Sequence, residues 1–450
     1  MKKILLLILF PATLIQSMHS QEMITEKLDS AVAVYASLNA FNGSVLVARH
    51  GKVLLQKGYG YKNVQDKSVN DANTIFQVGS ITKEFTATII LKLIEQKKLV
   101  LTEKLSKYYA GLPGGDSITI KNLLTHTSGI FNYTEINNFW NQLSLPTNEK
   151  NVTDSLRNHV LLFLPGEKFS YSNSNYMLLA YIIQKITGQS YETVVRNWIF
   201  KPLNMTHSGF DFTGLKNPDK STGYWDFSAA KYTVGPPSDS SEYIGGGEIY
   251  STVNDLYRWH QALQSGNILS KALQEQAYQP FKGPYGYGWE LDTIYDKKIV
   301  GHAGRMFGFE SKMIRIPEDD IFIILLNNES AGPALQLVAN KVLAILYQRP
   351  YTLPEQPLQL SEEQLKIYAG TYLADGDHTF EVALINGHLF GIEGPDRLHE
   401  FFPMKNNNFK VMDHNEEAGI FEFIMDENGQ VKEVTTVNPR GIRVTLKKVK

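Results

Sequence analysis

Apolar and polar positions alternate with two different periods along residues 22 to 350, which indicates a mixture of helices and strands. The runs Gly43 to Ala48 and Val53 to Tyr59 flank a short turn that contains Gly51, and this spacing predicts a β-hairpin. From Ile81 to Lys97, apolar residues recur every three or four positions, which predicts a helix. The first region therefore reads as an α+β domain.

Further elements are predicted towards the end of this region. Short apolar runs predict three strands, at Lys298 to His302, Glu310 to Ile316 and Ile321 to Asn327. Helical periodicity also covers three other segments, Leu178 to Ile186, Leu256 to Leu263 and Ala331 to Tyr347. Proline and polar residues from 351 to 360 then predict a linker, which places the domain boundaries at residues 350 and 361.

The tail from residue 361 to 450 has a different texture. Ser361 and Gln364 have the spacing of a capping box and predict one short helix. Turn-forming residues then recur about every ten positions and separate about eight short runs. Even spacing of this kind predicts a small closed β-barrel, with an open sandwich as the alternative.

The N-terminus predicts export. Lys2 and Lys3 precede an apolar run from Ile4 to Ile15, which is too short to span a bilayer. Residues 1–20 therefore read as a signal peptide of a secreted or periplasmic protein, with a buried helix as the alternative. No later run reaches 18 apolar residues, and no cysteine follows the first one, so we expect no stable membrane anchor.

Composition removes several classes of function. The 450 residues include no cysteine, which excludes disulfides, cysteine-based metal sites and a thiol nucleophile. Lys plus Arg number 44 and Asp plus Glu 46, so the chain lacks the positive charge of a nucleic-acid binder. The 11 histidines show no close H-x-x-x-H spacing. We therefore expect no metal and no cofactor.

The first motif that carries chemistry is Ser80-Ile81-Thr82-Lys83. Residues three apart on a helix share a face, so Lys83 places its amine against the Ser80 hydroxyl. A partly buried amine can lose its proton and act as a base for the serine. Taken alone, the pattern also fits a capping serine beside a solvated lysine.

The second motif is Tyr171-Ser172-Asn173. A tyrosine near a lysinium can be deprotonated near neutral pH, which suits proton transfer. Asn173 offers an amide donor and acceptor to a substrate and to Lys83. The alternative is a polar turn before a helix.

The third motif is the strand segment His302-Ala303-Gly304-Arg305. Small residues there allow a substrate to pair with the strand edge. The N–H groups of Arg305 and Ser80 could together form an oxyanion hole. The alternative is a glycine-rich strand end packed against a helix.

The three motifs, in this order, resemble the serine penicillin-recognising family, and most closely its class C β-lactamase-like branch. Flanking segments agree with the resemblance over residues 25 to 350, including Leu123 to Gly129, Gly245 to Thr252 and Gly286 to Trp289. The tail is similar to the lipocalin-like barrels that accompany some peptidases of this branch. The resemblance implies a β-lactamase/transpeptidase-like domain, with an antiparallel sheet flanked by helices and a helical subdomain.

The family resemblance also implies a mechanism. Ser80 would be acylated, Lys83 and Tyr171 would share the proton transfers, and Asn173 would orient the substrate. Family members commonly have Lys-Thr-Gly where this chain has His302-Ala303-Gly304, so we expect weaker binding of a substrate carboxylate. The alternative is that Arg305 restores positive charge nearby.

We therefore expect a hydrolase for D-amino-acid peptides, amides or esters. The substrate would be a small molecule or short peptide, with the cell wall as one source. The alternatives are a class C-type β-lactamase or penicillin-binding protein, and a non-catalytic binding or sensor protein on the same fold. The sequence does not give the oligomeric state.

Overall fold

A computed structural model describes residues 9–137, 139–330, 335–373, 378–392, 398–412, 419–437 and 442–449. Two units divide the chain. The first comprises residues 43–223 and 235–330, and the second comprises residues 1–42, 224–234 and 331–450. The domain boundaries predicted at 350 and 361 stay a prediction.

The first unit is organised by an antiparallel sheet. Its strands are β1 (Gly43–Arg49), β2 (Lys52–Tyr59), β3 (Tyr61–Asn63), β4 (Ser68–Val69), β5 (Phe76–Gln77), β8 (Tyr250–Ser251), β9 (Glu290–Ile294), β10 (Lys297–Met306), β11 (Phe309–Ile316) and β12 (Ile321–Asn327). Six of them form one sheet in the order β2-β1-β12-β11-β10-β9, and the others pair as β3 with β4 and β5 with β8. The predicted hairpin and the three later strands are confirmed.

Eight α-helices belong to the described part of the same unit. They are α2 (Thr82–Glu95), α3 (Ile120–Leu124), α4 (Phe139–Gln142), α5 (Glu149–Arg157), α6 (Asn173–Thr187), α7 (Tyr191–Val195), α8 (Val253–Ser265) and α9 (Lys271–Ala277). Helix α2 is confirmed. Its buried surface, however, extends beyond one apolar stripe, because every side chain from Thr82 to Leu91 is buried. The helix that carries Lys83 thus lies within the core rather than on the surface.

The second unit contains the barrel. Its helices are α1 (Leu9–Ser37), α10 (Leu335–Leu346) and α11 (Glu362–Lys366). Its strands are β6 (Tyr224–Phe227), β7 (Tyr232–Val234), β13 (Gly370–Leu373), β14 (Thr379–Ile385), β15 (His388–Ile392), β16 (Leu398–Pro403), β17 (Asn408–Lys410), β18 (Ile420–Met425), β19 (Val431–Val437) and β20 (Arg443–Lys448). Strands β13 to β20 form a closed barrel, as predicted, rather than a sandwich. Aromatic side chains such as Tyr372, Phe401 and Phe423 fill its core.

Some predictions fall outside the described residues. These are the predicted turns of the tail at residues 375–376, 393–395 and 438–439, residues 417–418 of the predicted turn at 417–419, the first four residues of the predicted helix Ala331 to Tyr347, and the first eight residues of the predicted signal peptide. Residues 9–20 form part of α1. Within the described ranges, no helix has the length and apolar character needed to cross a membrane.

Candidate active site

Ser80 lies in a tight turn at the entrance to α2. A 3₁₀ turn, Gly79–Ile81, leads directly into the helix. Gly79 has a φ of +53°, and a Cβ there would lie 2.6 Å from the Arg305 backbone nitrogen. Only glycine tolerates both conditions, so this turn can press against β10. The position also puts Ser80 at the helix N-terminus, where developing negative charge is favoured.

Lys83 is fully buried and points at Ser80. Its Nζ lies 2.9 Å from Ser80 Oγ, 2.9 Å from Asn173 Oδ1 and 2.7 Å from the Gly246 carbonyl oxygen. Burial penalises the ammonium form and lowers the pKa of Lys83 to about 7. A large fraction of Lys83 is therefore a neutral amine at neutral pH, which is the form that can accept a proton.

Tyr171 reaches the same serine from the other side. Its hydroxyl donates a hydrogen bond of 2.8 Å to Ser80 Oγ, and its ring stacks on His126 at a centroid distance of 4.3 Å. Lys83 Nζ lies 4.9 Å from the centre of the Tyr171 ring. Burial raises the pKa of Tyr171, which is opposite to the lowering expected from a neighbouring lysinium. Tyr171 is thus a protonated phenol at neutral pH.

Asn173 is the first residue of α6 and bridges two groups. Its Oδ1 accepts from Lys83, while its Nδ2 donates to Thr134 Oγ1 at 3.2 Å. Its backbone N–H is held by Asn132 Oδ1 at 3.0 Å. The sequence pointed to Asn173 but not to Thr134 or Asn132, because these contacts join segments 39 to 41 positions apart.

The loop from Gly245 to Glu248 supplies the remaining partner of Lys83. The Glu248 carboxylate accepts from the backbone N–H groups of Gly245 (2.8 Å) and Gly247 (3.1 Å). This bracing presents the Gly246 carbonyl to Lys83. Burial raises the pKa of Glu248 to about 7, and its charge in turn favours the Lys83 ammonium. Glu248 therefore helps to position the Gly246 carbonyl that binds Lys83.

His302 is placed beside the site without presenting a charge to it. The side chain is buried, and its Nε2 lies 2.9 Å from the Tyr285 hydroxyl. Burial lowers the pKa of His302, so the ring is neutral at neutral pH. The Tyr285 hydroxyl thus binds His302, which lies where family members commonly have a lysine. Tyr285 was not among the residues to which the sequence pointed.

The rest of the third motif shapes the strand edge. A Cβ on Gly304 would lie 2.0 Å from the Val78 carbonyl oxygen, so the lack of a side chain allows β10 to approach the Ser80 turn. Ala303 N–H donates to Glu290 Oε2 at 3.1 Å. Alternate N–H groups of a strand point to the same edge, so Arg305 N–H points the same way, towards the Ser80 turn.

The Arg305 side chain contacts a carboxylate of its own. Its Nε lies 2.9 Å from Glu310 Oε1, and its terminal nitrogen donates to the Ser330 carbonyl at 2.9 Å. Burial raises the pKa of Glu310 to about 7. The guanidinium therefore has contacts of its own with Glu310 and the Ser330 carbonyl, while the Arg305 backbone lies along the site.

The side chains of Lys83 and Tyr171 both contact the Ser80 Oγ atom. Ser80 Oγ lies within hydrogen-bond distance of an amine with a lowered pKa and of a protonated phenol. The Arg305 backbone nitrogen approaches the residue before Ser80, because a Cβ on Gly79 would lie 2.6 Å from it. No group of three or more metal-ligating side chains occurs within the described part of the chain. The arrangement can therefore activate a hydroxyl, stabilise an oxyanion and protonate a leaving group.

Comparisons with known proteins agree with this geometry. Residues 28–348 match the family model described as Beta-lactamase. A penicillin-binding protein of Bacillus subtilis (strain 168) is 31% identical over 398 residues, which covers 82% of this chain and 87% of that protein.

Two solved structures are also similar. An octameric penicillin-binding protein homologue from Pyrococcus abyssi is 28% identical, with a TM-score of 0.66 over 94% of this chain and 99% of that one. A D-stereospecific amidohydrolase from Streptomyces sp. is 25% identical, with a TM-score of 0.59 over 71% of this chain and 96% of that one.

Proposed function

Because the chain belongs to the beta-lactamase family of serine hydrolases, we propose that it is an exported hydrolase that forms an acyl-enzyme at Ser80 with small amides or esters. One observation carries the proposal: Ser80 Oγ lies 2.9 Å from Lys83 Nζ and 2.8 Å from the Tyr171 hydroxyl. A nucleophile within reach of both a base and an acid is the requirement for acyl transfer. Export rests on the signal-peptide pattern of residues 1–20.

In the proposed acylation step, neutral Lys83 takes the proton of Ser80 as Oγ bonds to the substrate carbonyl carbon. The carbonyl oxygen becomes an oxyanion and is held by the N–H groups of Ser80 and Arg305, each worth about 3 kcal/mol. Tyr171 donates its proton to the leaving nitrogen or oxygen, and the Lys83 ammonium restores that proton. Water then attacks the acyl carbon, and the same groups act in reverse to release the acid.

The third motif guides the choice of substrate. His302 is neutral and bound to Tyr285, and the Arg305 guanidinium is paired with Glu310. The His302 ring therefore offers no charge to a substrate carboxylate, and the Arg305 guanidinium already has a carboxylate partner. We therefore propose D-amino-acid amides, peptides or esters as substrates, in keeping with the name of the Streptomyces relative. The names of the penicillin-binding relatives favour β-lactams as the second candidate.

Covalent labelling tests the proposal directly. We expect a fluorophosphonate to add to the protein once, with the adduct mapped by peptide mass spectrometry to Ser80. The labelled protein should no longer hydrolyse a p-nitrophenyl ester. A panel of D-amino-acid amides, D-Ala-D-Ala peptides, short esters and nitrocefin then ranks the substrates. An unlabelled Ser80, or full turnover after labelling, would contradict the proposed function.

The pH dependence of turnover should report on Lys83. Because its pKa is lowered to about 7, the neutral form is lost as pH falls. We expect kcat/KM for a p-nitrophenyl ester to drop about tenfold per pH unit below 7, and to level off above it. The measurement is an initial-rate profile from pH 5 to 9, with circular dichroism at each pH to confirm folding.

Glu248 provides the control for this profile, since its pKa is also about 7. Its charge favours the Lys83 ammonium, so Glu248→Gln should move the midpoint to lower pH rather than remove the slope. A rate that is constant or falls with rising pH would rule out Lys83 as the base.

A further inference from the structure

One carboxylate lies at the uncovered edge of β10, beside the catalytic groups. Glu290 is the first residue of β9, and its Oε2 accepts the Ala303 N–H at 3.1 Å. Strand β9 pairs with β10 only as far as Gly301, so among the described strands none continues along this edge at Ala303. The Glu290 side chain is 40% exposed, which leaves it accessible to a ligand.

The position of Glu290 along β10 sets its distance from the reaction. Ala303 and Arg305 are two residues apart on one strand, and their N–H groups point to the same edge, about 6 to 7 Å apart. Arg305 N–H is one of the two proposed oxyanion donors. A charged group a few bonds from the scissile carbonyl would therefore come within reach of the Glu290 carboxylate.

Three basic side chains lie near this part of the strand edge. His302 Nδ1 lies 3.5 Å from Glu290 Oε1, but burial lowers the pKa of His302 and its ring is neutral, while Arg305 is paired with Glu310. Lys312 is the cross-strand partner of Ala303, on the far side of β10, and its Nζ lies 3.9 Å from Glu290 Oε2. The charge of Glu290 favours the ammonium form of Lys83 and the neutral form of Tyr171, so the carboxylate acts on the catalytic groups.

We propose that Glu290 binds an ammonium group of the substrate next to the scissile carbonyl and disfavours a carboxylate at that place. This inference rests on the proposed function and narrows its substrate class. The ammonium can belong to the acyl part, as in an amino-acid amide, or to the leaving group, as in a choline-type ester. Both share the same chemistry at Glu290, and the experiment separates them.

Two pairs of substrates, each differing in one ammonium group, test the proposal. The first pair is the p-nitrophenyl esters of D-phenylalanine and of 3-phenylpropionic acid, which differ by the ammonium on the acyl part. The second pair is acetylthiocholine and S-(3,3-dimethylbutyl) thioacetate, which differ by the charge of the leaving group. The readout is the ratio of kcat/KM for the charged member to that for the neutral member, measured in wild type and in Glu290→Gln.

We expect a ratio above one in at least one pair of the wild type, and a fall of about tenfold in that ratio in E290Q. Glutamine keeps an acceptor for the Ala303 N–H, so the strand edge is retained. Lys312→Met should raise the ratio, because it removes the opposing cation. Glu318→Gln is the matched control: this exposed glutamate pairs with Lys297 and should leave the ratio unchanged.

Two failures are distinguishable. If both wild-type ratios are close to one, or if E290Q leaves them unchanged, the role of Glu290 is wrong while the serine hydrolase stands. If the fluorophosphonate does not label Ser80 and the neutral esters are not hydrolysed, the proposed function itself fails. The pair whose ratio responds to E290Q identifies which side of the scissile bond carries the ammonium.

Discussion

Replacing Ser80 with alanine is expected to lower kcat by about 10⁶-fold, to a background set by binding and the oxyanion hole. The reason is that the Ser80 hydroxyl is the proposed nucleophile and is hydrogen-bonded to both Lys83 Nζ and the Tyr171 hydroxyl. Lys83→Met should cost a comparable factor, because the serine then has no amine within reach. The measurement is single-turnover and steady-state hydrolysis of a p-nitrophenyl ester.

The double variant distinguishes this mechanism from general damage. Residues that act as one unit are not additive, so Ser80→Ala combined with Lys83→Met should be no slower than Ser80→Ala alone. Thermal unfolding checks that each variant folds. Fully additive losses, or near wild-type turnover by Ser80→Ala, would remove Ser80 from its proposed role.

Local spacing explains why part of the site could be predicted. Ser80 and Lys83 share one helix face, and the geometry follows from three residues of separation. No such local rule places Tyr171 and Asn173 near Ser80. Their position in the site was inferred from the order of the motifs, which resembles that of the family. In the structure Tyr171 binds Ser80 Oγ, and Asn173 binds the Lys83 amine that also contacts this oxygen.

Other parts could not be predicted, because they depend on backbone groups or on burial. The Gly246 carbonyl that binds Lys83 has no side chain to mark it in the sequence. Burial of Tyr171 decides the direction of its pKa, and burial depends on the whole fold. The sequence predicted a one-sided stripe on α2, yet the helix is enclosed over most of its length.

The barrel shows the opposite case. Recurrent turn residues predicted about eight short strands, and eight strands close in sequential order. Each strand pairs with its chain neighbour, and the pairing of β13 with β20 closes the barrel, so all contacts between strands except this last one are local.

The contact between Glu290 and Ala303 could not be predicted in this way. The two residues lie on the neighbouring strands β9 and β10, but their contact depends on where β9 begins, and the sequence pattern did not reveal that position.

Tyr171→Phe is expected to separate amides from activated esters. An amine leaving group needs a proton, whereas p-nitrophenolate leaves without one. If Tyr171 supplies that proton, loss of its hydroxyl should lower kcat/KM by about 10³ for a D-amino-acid amide and far less for a p-nitrophenyl ester. Phenylalanine keeps the ring that stacks on His126, so the packing is retained.

Tyr285→Phe is the matched control for this differential effect, because its hydroxyl contacts His302 Nε2 at 2.9 Å rather than the serine. Any loss in Tyr285→Phe should be the same for the amide and the ester. Equal losses for both substrates in Tyr171→Phe would instead mean that Tyr171 acts before the leaving group departs, by orienting Ser80. The ratio of kcat/KM for the amide to that for the ester therefore distinguishes the two roles of Tyr171. Removing a proton donor to the leaving group lowers this ratio, whereas removing a residue that only orients Ser80 leaves it unchanged.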